Sequence, residues 1–362
     1  MMFASFPKAQ YQAYRSEIDS AIARVLDSGS YIMGAEVKAF EEEFATHIDL
    51  KHAIGVGSGT DALTLALMAL DIGAGDDVIS VSHTAVATTA AIRLTGANPV
   101  LVDIEADYFT LDPACLKAAI TKKTKAVVVV HLYGQAADLD AICAIAADHG
   151  LKVVEDCAQA VGATHRAAKL GSIGDIGCFS FFPTKNLGAI GDGGAVLTNN
   201  DAVAESLRGL RQYGWQDDRI SHVTGMNSRL DELQAAILRV KLRHLDTDTK
   251  RRRAIAEQYG ELLDKLEVDV PRVRPGTNHA FHLYALQCRN RDDMLTHLKT
   301  EGIRAGVHYP VPVHLQPAYS HQTTLPRTEQ AALETLSLPM YPELTTGDIV
   351  QIAAAVRSFS KA

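Results

Sequence analysis

Residues 125–156 read KAVVVVHLYGQAADLDAICAIAADHGLKVVED, and this stretch decides the fold. An apolar, β-branched run at 125–130 is followed by a helical pattern at 139–149 and by a second apolar run at 151–155. Short apolar runs that alternate with helices are typical of parallel strands buried on both faces. Similar runs at 77–82 and 98–103 extend the pattern towards the N-terminus. The sequence therefore predicts an α/β domain of three layers around a mostly parallel sheet.

The region that follows this unit changes in texture. Residues 178–199 are glycine-rich, with strand candidates at 178–182 and 194–198 around a loop, and such a loop in a compact domain is usually functional. A long helical pattern at about 228–265 then leads the chain away from the sheet. With 362 residues the chain exceeds one ordinary domain of ~100–200 residues. We expect a large domain at 1–245 and a smaller α+β domain at 246–362.

Composition and charge exclude several classes of protein. Apolar residues make up 47% and charged residues 22%, as in soluble globular proteins. The net charge of −8 argues against a nucleic-acid partner, and the basic cluster at 250–253 is interpreted as a solvated helix face. Five scattered cysteines without CxxC spacing indicate neither a disulfide framework nor a metal site. No run approaches the ~20 apolar residues of a membrane helix, so we expect a cytoplasmic protein without a membrane partner.

Polar residues that end the predicted strands are candidate ligand-binding groups, because ligands gather at the carboxyl ends of parallel strands. Asp156 ends the strand at 151–155, where its carboxylate suits a positively charged ring nitrogen; a helix N-cap is the alternative. His83 follows the strand at 77–82, where an imidazole can stack on a planar ligand. A buried structural histidine is the alternative at that position.

Lys185 lies in Ser180-Phe-Phe-Pro-Thr-Lys-Asn-Leu-Gly188, after a proline and before several glycines. A nucleophilic lysine needs a desolvated amine, which a cleft between strands provides, whereas an isolated loop lysine is usually exposed. No GxxxxGK[ST] pattern is present, and the lysine precedes the glycines, so a nucleotide-phosphate loop is not indicated.

The stretch GVGSGTD at 55–61 opens an apolar helical pattern. Free backbone N–H groups and the helix dipole make such a start an anion site, with an ordinary helix start as the alternative. An aldehyde for Lys185, a protonated aromatic nitrogen for Asp156 and a phosphate for this turn describe one ligand, pyridoxal phosphate (PLP).

Motifs across nearly the whole chain resemble those of the DegT, DnrJ, EryC and StrS family of sugar aminotransferases, which implies a three-layer PLP-transferase fold. The matching segments are Gly29-Ser-Tyr-Ile-Met-Gly34, Gly57-Ser-Gly-Thr-Asp-Ala-Leu63, His131-Leu-Tyr-Gly-Gln135, Glu155-Asp-Cys-Ala-Gln-Ala160, Ser180 to Gly188, Gly191-Asp-Gly-Gly-Ala195, Gly225-Met-Asn-Ser-Arg-Leu-Asp231 and His308-Tyr-Pro. Each segment alone is a weak signal, but their combination is specific.

The resemblance implies a role for each matching residue. Lys185 forms a Schiff base with the cofactor and carries protons, Asp156 keeps the ring nitrogen protonated, and Gln159 contacts the ring. The implied phosphate-binding residues are Gly59, Thr60, Ser180 and, from a neighbouring subunit, Asn227. The resemblance therefore implies a homodimer with shared active sites. Two positions depart from the family pattern: Ala85 replaces an aromatic residue, so that His83 takes over the stacking, and Phe182 replaces a frequent tyrosine.

The resemblance further implies transfer of an amino group from L-glutamate to a keto group of a nucleotide-linked deoxysugar. A related sugar dehydratase would carry histidine at position 185, and a non-catalytic regulatory protein that retains the fold is a third alternative. The segments at 82–88, 182–188 and 308–317 resemble members that act at C3, which favours a dTDP-3-keto-6-deoxyhexose and a dTDP-3-amino-3,6-dideoxyhexose product; amination at C4 is the alternative. Phe182, Tyr309 and His314 are the candidate sugar contacts, although Tyr309 and His314 can equally pack the small domain.

Overall fold

The computed structural model describes residues 1–215, 219–319 and 323–359. The helices are α1 (Pro7–Ala13), α2 (Arg15–Ser28), α3 (Ala35–Ile48), α4 (Gly59–Ala69), α5 (Val86–Leu94), α6 (Pro113–Ala119), α7 (Leu139–His149), α8 (Asp201–Leu210), α9 (Glu232–Leu263), α10 (Arg291–Thr300), α11 (Pro326–Glu334) and α12 (Thr346–Phe359). The strands are β1 (Met2–Phe3), β2 (His52–Val56), β3 (Asp77–Val81), β4 (Asn98–Val102), β5 (Thr124–Val130), β6 (Lys152–Asp156), β7 (Thr164–His165), β8 (Ala168–Lys169), β9 (Ile176–Ser180), β10 (Gly194–Thr198), β11 (Thr277–Asn278), β12 (Tyr284–Gln287), β13 (Ile303–Arg304) and β14 (Thr335–Leu338).

A seven-stranded sheet in the order β2-β10-β9-β6-β5-β3-β4 forms the centre of the large domain. β10 pairs antiparallel with both β2 and β9, and the other pairs are parallel. The β-branched runs predicted as strands are β3, β4, β5 and β6, and their side chains are almost all buried. The predicted α/β class with a mixed, mostly parallel sheet is therefore confirmed.

Helices cover both faces of this sheet. One face packs against α4, α5 and α8, with Leu65, Ile92 and Leu207 in its core. The other face packs against α3, α6, α7 and the first half of α9, with Phe44 and Ile142 in its core. Because both faces are covered, polar ligands reach the sheet at its ends, where the connecting loops lie.

The smaller unit has its own core of α9, α10, α12 and the antiparallel pair β12–β14. The predicted long helix at about 228–265 corresponds to α9, which spans 32 residues and crosses the predicted boundary at 245 and 246. The N-terminal strand β1 pairs with β13, so residues 2–3 lie on the smaller unit. Among the described residues, no helix combines the length and apolar character needed to cross a membrane.

Candidate active site

A cleft of about 240 Å³ opens at the carboxyl end of the sheet, beside the ends of β5, β6 and β9. Its wall includes a large share of the predicted site residues, namely Gly59, Thr60, Asp156, Gln159, Ser180, Phe182 and Lys185. Because these residues come from separate strand ends and loops, the parallel sheet is what brings them to one place.

The first turn of α4 forms one end of the cleft. The Ser58 side chain caps this helix by accepting a hydrogen bond from the Asp61 amide at 3.1 Å. A Cβ atom at Gly59 would lie 2.6 Å from the Cβ of Ser180, so only glycine allows α4 to approach the end of β9 this closely. The amides of the first helical turn and the Ser180 hydroxyl therefore converge on a small volume that suits a phosphate.

Asp156 is the last residue of β6 and is 5% exposed. Its carboxylate accepts hydrogen bonds from the Thr88 hydroxyl at 2.9 Å and from the Ala158 amide at 3.1 Å. Burial raises the pKa of Asp156 above its ordinary value, against the effect of these hydrogen bonds. A cation placed at this carboxylate therefore relieves an unfavourable burial of charge.

Lys185 sits on a turn closed by a hydrogen bond from its own amide to the Phe182 carbonyl at 2.8 Å. Desolvation lowers the pKa of its amine to about 8, although the carboxylate of Asp156 acts in the opposite direction. The neutral, nucleophilic form of the amine is therefore far more populated near neutral pH than in an ordinary lysine.

Two buried side chains that the sequence analysis did not select hold this turn in place. Asn186 donates to the Ala280 carbonyl at 3.0 Å, and the Lys241 amine donates to the Gly188 carbonyl at 2.6 Å. Lys241 belongs to a long charged helical pattern, in which nothing local marks one lysine as buried. Its role depends on the packing of α9 against the loop.

Glu155 supports Asp156 from the opposite side of β6. Its fully buried carboxylate accepts hydrogen bonds from His131 and from the amides of Gly171, Ile173 and Gly174. Burial by itself raises the pKa of Glu155, but these hydrogen bonds outweigh it and lower the pKa below its ordinary value. His131, Glu155 and Cys157 place ligand-type atoms within 4.8 Å of one another, yet the His131 and Glu155 atoms are already engaged in hydrogen bonds.

Four predicted residues lie outside the cleft wall. His83 is buried with its Nε2 2.8 Å from the Tyr133 hydroxyl, while Thr84, Ala85 and Ala87 of the same segment form the wall. His314 is buried between the Ser82 hydroxyl and the Glu329 carboxylate. The roles predicted for His83 and His314 stay predictions.

The other two residues are placed differently. Tyr309 reaches the cleft indirectly, because its hydroxyl lies 3.1 Å from the Gln159 amide nitrogen, and Gln159 lines the wall. Asn227 is exposed and pairs with Gln212 in an isolated bridge. The wall also includes Asp192 and Gly193, which belong to the glycine-rich stretch noted in the sequence but were not selected individually.

The donor set of the cleft fits pyridoxal phosphate. Lys185 supplies an amine for the aldehyde, Asp156 a buried carboxylate for the ring nitrogen, and the first turn of α4 a set of amides for the phosphate. The close approach of Gly59 to Ser180 leaves no room for a side chain at the phosphate end. Each of these features suits a different part of the same cofactor.

Comparison with known proteins agrees with this geometry. The DegT/DnrJ/EryC1/StrS aminotransferase family matches residues 12–357. The chain is 49% identical to the erythromycin biosynthesis sensory transduction protein EryC1 of Saccharopolyspora erythraea, over 97% of each chain. It is 47% identical to the dTDP-3-amino-3,4,6-trideoxy-alpha-D-glucose transaminase of Streptomyces venezuelae, over 98% of this chain and 95% of the relative.

A crystal structure of S. venezuelae DesV in complex with a ketimine intermediate has the same fold. It matches with a TM-score of 0.98 at 46% identity, covering 100% of this chain and 99% of that one. The similarity thus extends over the whole chain, including every segment that forms the cleft. Together, the cleft and these matches show that the chain belongs to the DegT/DnrJ/EryC1/StrS aminotransferase family and is a pyridoxal-phosphate-dependent aminotransferase.

Proposed function

We propose that this enzyme moves the amino group of L-glutamate to the C3 keto group of a dTDP-linked 3-keto-6-deoxyhexose, giving a dTDP-3-amino-3,6-dideoxyhexose. The observation that carries the proposal is the position of Lys185 and Asp156 on the wall of one cleft, next to the start of α4. The choice of C3 is supported by the segments at 82–88, 182–188 and 308–317. It is also supported by 47% identity to a relative named for a dTDP-3-amino sugar.

Bound PLP supplies an electron sink that makes the substrate carbon bearing the amino group acidic. The Lys185 amine would remove the proton from that carbon and deliver it to the cofactor, a task suited to a base with a pKa of about 8 near neutral pH. Asp156, oriented by Thr88 and by the Ala158 amide, holds the proton on the ring nitrogen. Burial by itself favours the neutral carboxyl, so a cationic ring nitrogen next to Asp156 would be what keeps it ionised, and in the buried site this attraction is strong.

The phosphate end of the cleft would anchor the cofactor on the same wall as Lys185. Gly59, Thr60 and Ser180 bind the phosphate with backbone amides and a hydroxyl. Ser228 stabilises this helix start, because its hydroxyl accepts from the Gly57 amide at 2.9 Å and donates to Asp61 at 2.6 Å. The phosphate therefore binds to a turn that is already ordered by the protein.

Three residues are proposed to contact the sugar. Phe182 is 50% exposed beside Lys185 and offers an apolar surface at the mouth of the cleft. Tyr309 presents a hydroxyl next to Gln159. Both ring nitrogens of His314 are engaged, so a direct contact of His314 with a sugar hydroxyl requires one of these hydrogen bonds to open.

The enzyme is proposed to act as a homodimer in which Asn227 completes the phosphate site of the partner subunit. Asn227 is exposed in the single chain, although it directly precedes the buried Ser228. Apolar side chains such as Tyr31, Ile32 and Ile190 are also exposed, and an apolar surface of this kind is typical of subunit interfaces.

The position of the new C–N bond tests the proposal. Purified enzyme is incubated with L-glutamate and, in separate reactions, with dTDP-linked 3-keto and 4-keto 6-deoxyhexoses, and the products are analysed by NMR. We expect efficient amination of the 3-keto sugar. Amination of the 4-keto sugar alone would overturn the C3 assignment. It would leave the catalytic role proposed for Lys185 unaffected. Absence of any glutamate-dependent pyridoxamine formation would favour a non-catalytic PLP-binding protein.

A further inference from the structure

A chain of hydrogen bonds links His83, which follows β3, through Tyr133 to the segment that contains Tyr309. His83 Nε2 lies 2.8 Å from the Tyr133 hydroxyl, and this hydroxyl donates to the backbone carbonyl of His308. A hydroxyl has one proton to donate, and the Tyr133 hydroxyl donates it in the hydrogen bond to the His308 carbonyl. The Tyr133 oxygen must therefore accept the hydrogen bond from His83. Burial lowers the pKa of His83 to about 4, so the imidazole is neutral at physiological pH and carries its proton on Nε2.

The backbone of Tyr133 connects the same chain to the cleft. The Tyr133 amide donates to Gln159 Oε1 at 2.7 Å, which turns Gln159 Nε2 towards the Tyr309 hydroxyl at 3.1 Å. Tyr133 thus holds Gln159 with its amide and the segment containing Tyr309 with its side chain. The Tyr309 hydroxyl accepts from Gln159 and keeps its own proton available for donation.

Two features distinguish this arrangement from ordinary core packing. Tyr133 has a left-handed backbone conformation with φ of 61°. This conformation is uncommon for residues with large side chains, and residues that adopt it are often found at functional sites. His83 Nδ1 is buried and has no hydrogen-bond partner within the part of the chain that the structure describes. His83, with one nitrogen unsatisfied, lies beside an apolar neighbour, Phe109, where a hydrophobic residue would be easier to bury.

We propose that His83 and Tyr133 are positioning residues for transamination. Through the His308 carbonyl they hold Tyr309 in place, and Tyr309 together with the Tyr133 amide holds the Gln159 side chain on the cleft wall. This role differs from the stacking expected of His83, because His83 acts here through Tyr133 and not by touching the cofactor. The inference rests on the aminotransferase activity and is independent of the C3 assignment.

Hydrogen exchange of the holoenzyme tests the structural part of the proposal. In Tyr133→Phe the His308 carbonyl loses its donor, so the amides of residues 305–311, apart from Pro310, should exchange about tenfold faster, as expected for one lost hydrogen bond. Tyr259→Phe is the matched control, because Tyr259 is also buried and its hydroxyl donates to the Pro339 carbonyl at 3.0 Å. This hydrogen bond is not part of the series that joins His83, Tyr133 and His308. We expect unchanged exchange at 305–311 in the control. Equal exchange at 305–311 in the wild type and Tyr133→Phe would overturn the proposal.

The half-reaction with L-glutamate, followed by the absorbance of the cofactor without any sugar, tests the functional part. We expect Tyr133→Phe and His83→Ala to lower the limiting rate constant of this half-reaction about tenfold, with a smaller change in the apparent Kd for L-glutamate, since Gln159 acts on the bound cofactor. His83→Gln should recover most of the rate, because an amide Nε2–H can donate to Tyr133 from a similar position. If His83→Gln is as slow as His83→Ala, or if Tyr259→Phe is as slow as Tyr133→Phe, the positioning role is wrong and the residues only pack. Neither hydrogen exchange nor the half-reaction with L-glutamate uses a sugar substrate, so both tests remain valid if the C3 assignment is wrong.

Discussion

Burial moves the pKa values of Lys185 and Asp156 in opposite directions. It lowers the pKa of the Lys185 amine to about 8 and raises the pKa of the Asp156 carboxyl. Both shifts favour the neutral form of the group: the neutral amine is the form that attacks an electrophilic carbon, and a cationic ring nitrogen next to Asp156 would restore its charged carboxylate against the effect of burial. The pair therefore identifies the chemistry more specifically than either residue alone.

The pKa of Lys185 predicts how the PLP-free enzyme takes up its cofactor. Because the neutral amine is the nucleophile, the rate of Schiff base formation should rise with pH through about 8 and then level off. Absorbance measurements across this pH range give the rate of Schiff base formation. Reduction with borohydride should then leave a phosphopyridoxyl group on the peptide containing Lys185. The buried amine of Lys241 also has a pKa of about 8 but donates to Gly188. A label on Lys241, or a rate that still rises steeply above pH 9, would contradict the assignment of Lys185.

The substitution Asp156→Asn tests how much the charge of the carboxylate contributes to catalysis. The amide occupies the same volume but cannot keep the ring nitrogen protonated, so the rate constant of proton abstraction should fall roughly a hundredfold or more, with a much smaller loss of substrate binding. Thr88→Val removes one hydrogen bond to Asp156 and keeps the charge, so its loss should be smaller, about tenfold. Stopped-flow measurement of the glutamate half-reaction compares the two variants. Near-normal turnover of Asp156→Asn would refute the role.

Elements stabilise one another through groups at their ends. Glu232, the first residue of α9, is 2% exposed, and its carboxylate accepts from the amides of Gly34, Glu36 and Val37 at 2.7–2.9 Å. These are the orphan donors at the start of α3, whose N-cap residue, Gly34, has no side chain to satisfy them. The first residue of one helix therefore completes another helix that lies about 200 residues earlier in the chain.

Loss of the interaction between Glu232 and the start of α3 should lower the stability of the protein. Glu232→Ala should lower the free energy of unfolding by roughly 3 kcal/mol, because three buried amides lose a charged acceptor. Glu257→Ala, an exposed position on the same helix, is the control and should change stability by less than about 0.5 kcal/mol. Denaturant unfolding of the two variants at fixed PLP concentration gives the comparison. Similar midpoints would show that α3 does not depend on Glu232.

At the scale of the whole molecule, a shared active site predicts complementation between two inactive variants. Lys185→Ala and an inactive Asn227→Ala variant are mixed under conditions of verified subunit exchange. If Asn227 serves the partner's site, each heterodimer has one intact site, and about a quarter of the wild-type sites should be recovered at equal mixing. If Asn227 serves its own chain, no intact site forms. Activity that stays at the level of the unmixed variants after exchange would therefore count against the shared site.

The local sequence predicted the strands and their polar ends well. β-branched runs such as 125–130 favour a buried strand whatever their neighbours are, so β3 to β6 and the position of Asp156 at a strand end followed from the sequence. The PLP cofactor and the aminotransferase family, predicted from the motifs around Lys185, are confirmed as well. β2 was not identified, because its five residues include Gly55 and His52 and form a strand through pairing with β10.

The tertiary structure alone decided which side chains meet. Thr88 contacts Asp156 from 68 residues away, and Tyr309 contacts Gln159 from 150 residues away. No local pattern encodes such contacts, since they depend on how helices, strands and loops that are distant in the sequence pack against one end of the sheet. For the same reason the sequence suggested a histidine near the cofactor but not that His83 is buried against Tyr133. The sequence determined the architecture and the reactive groups, because periodicity and residue chemistry are local properties; the hydrogen-bond network around those groups is a property of the folded chain.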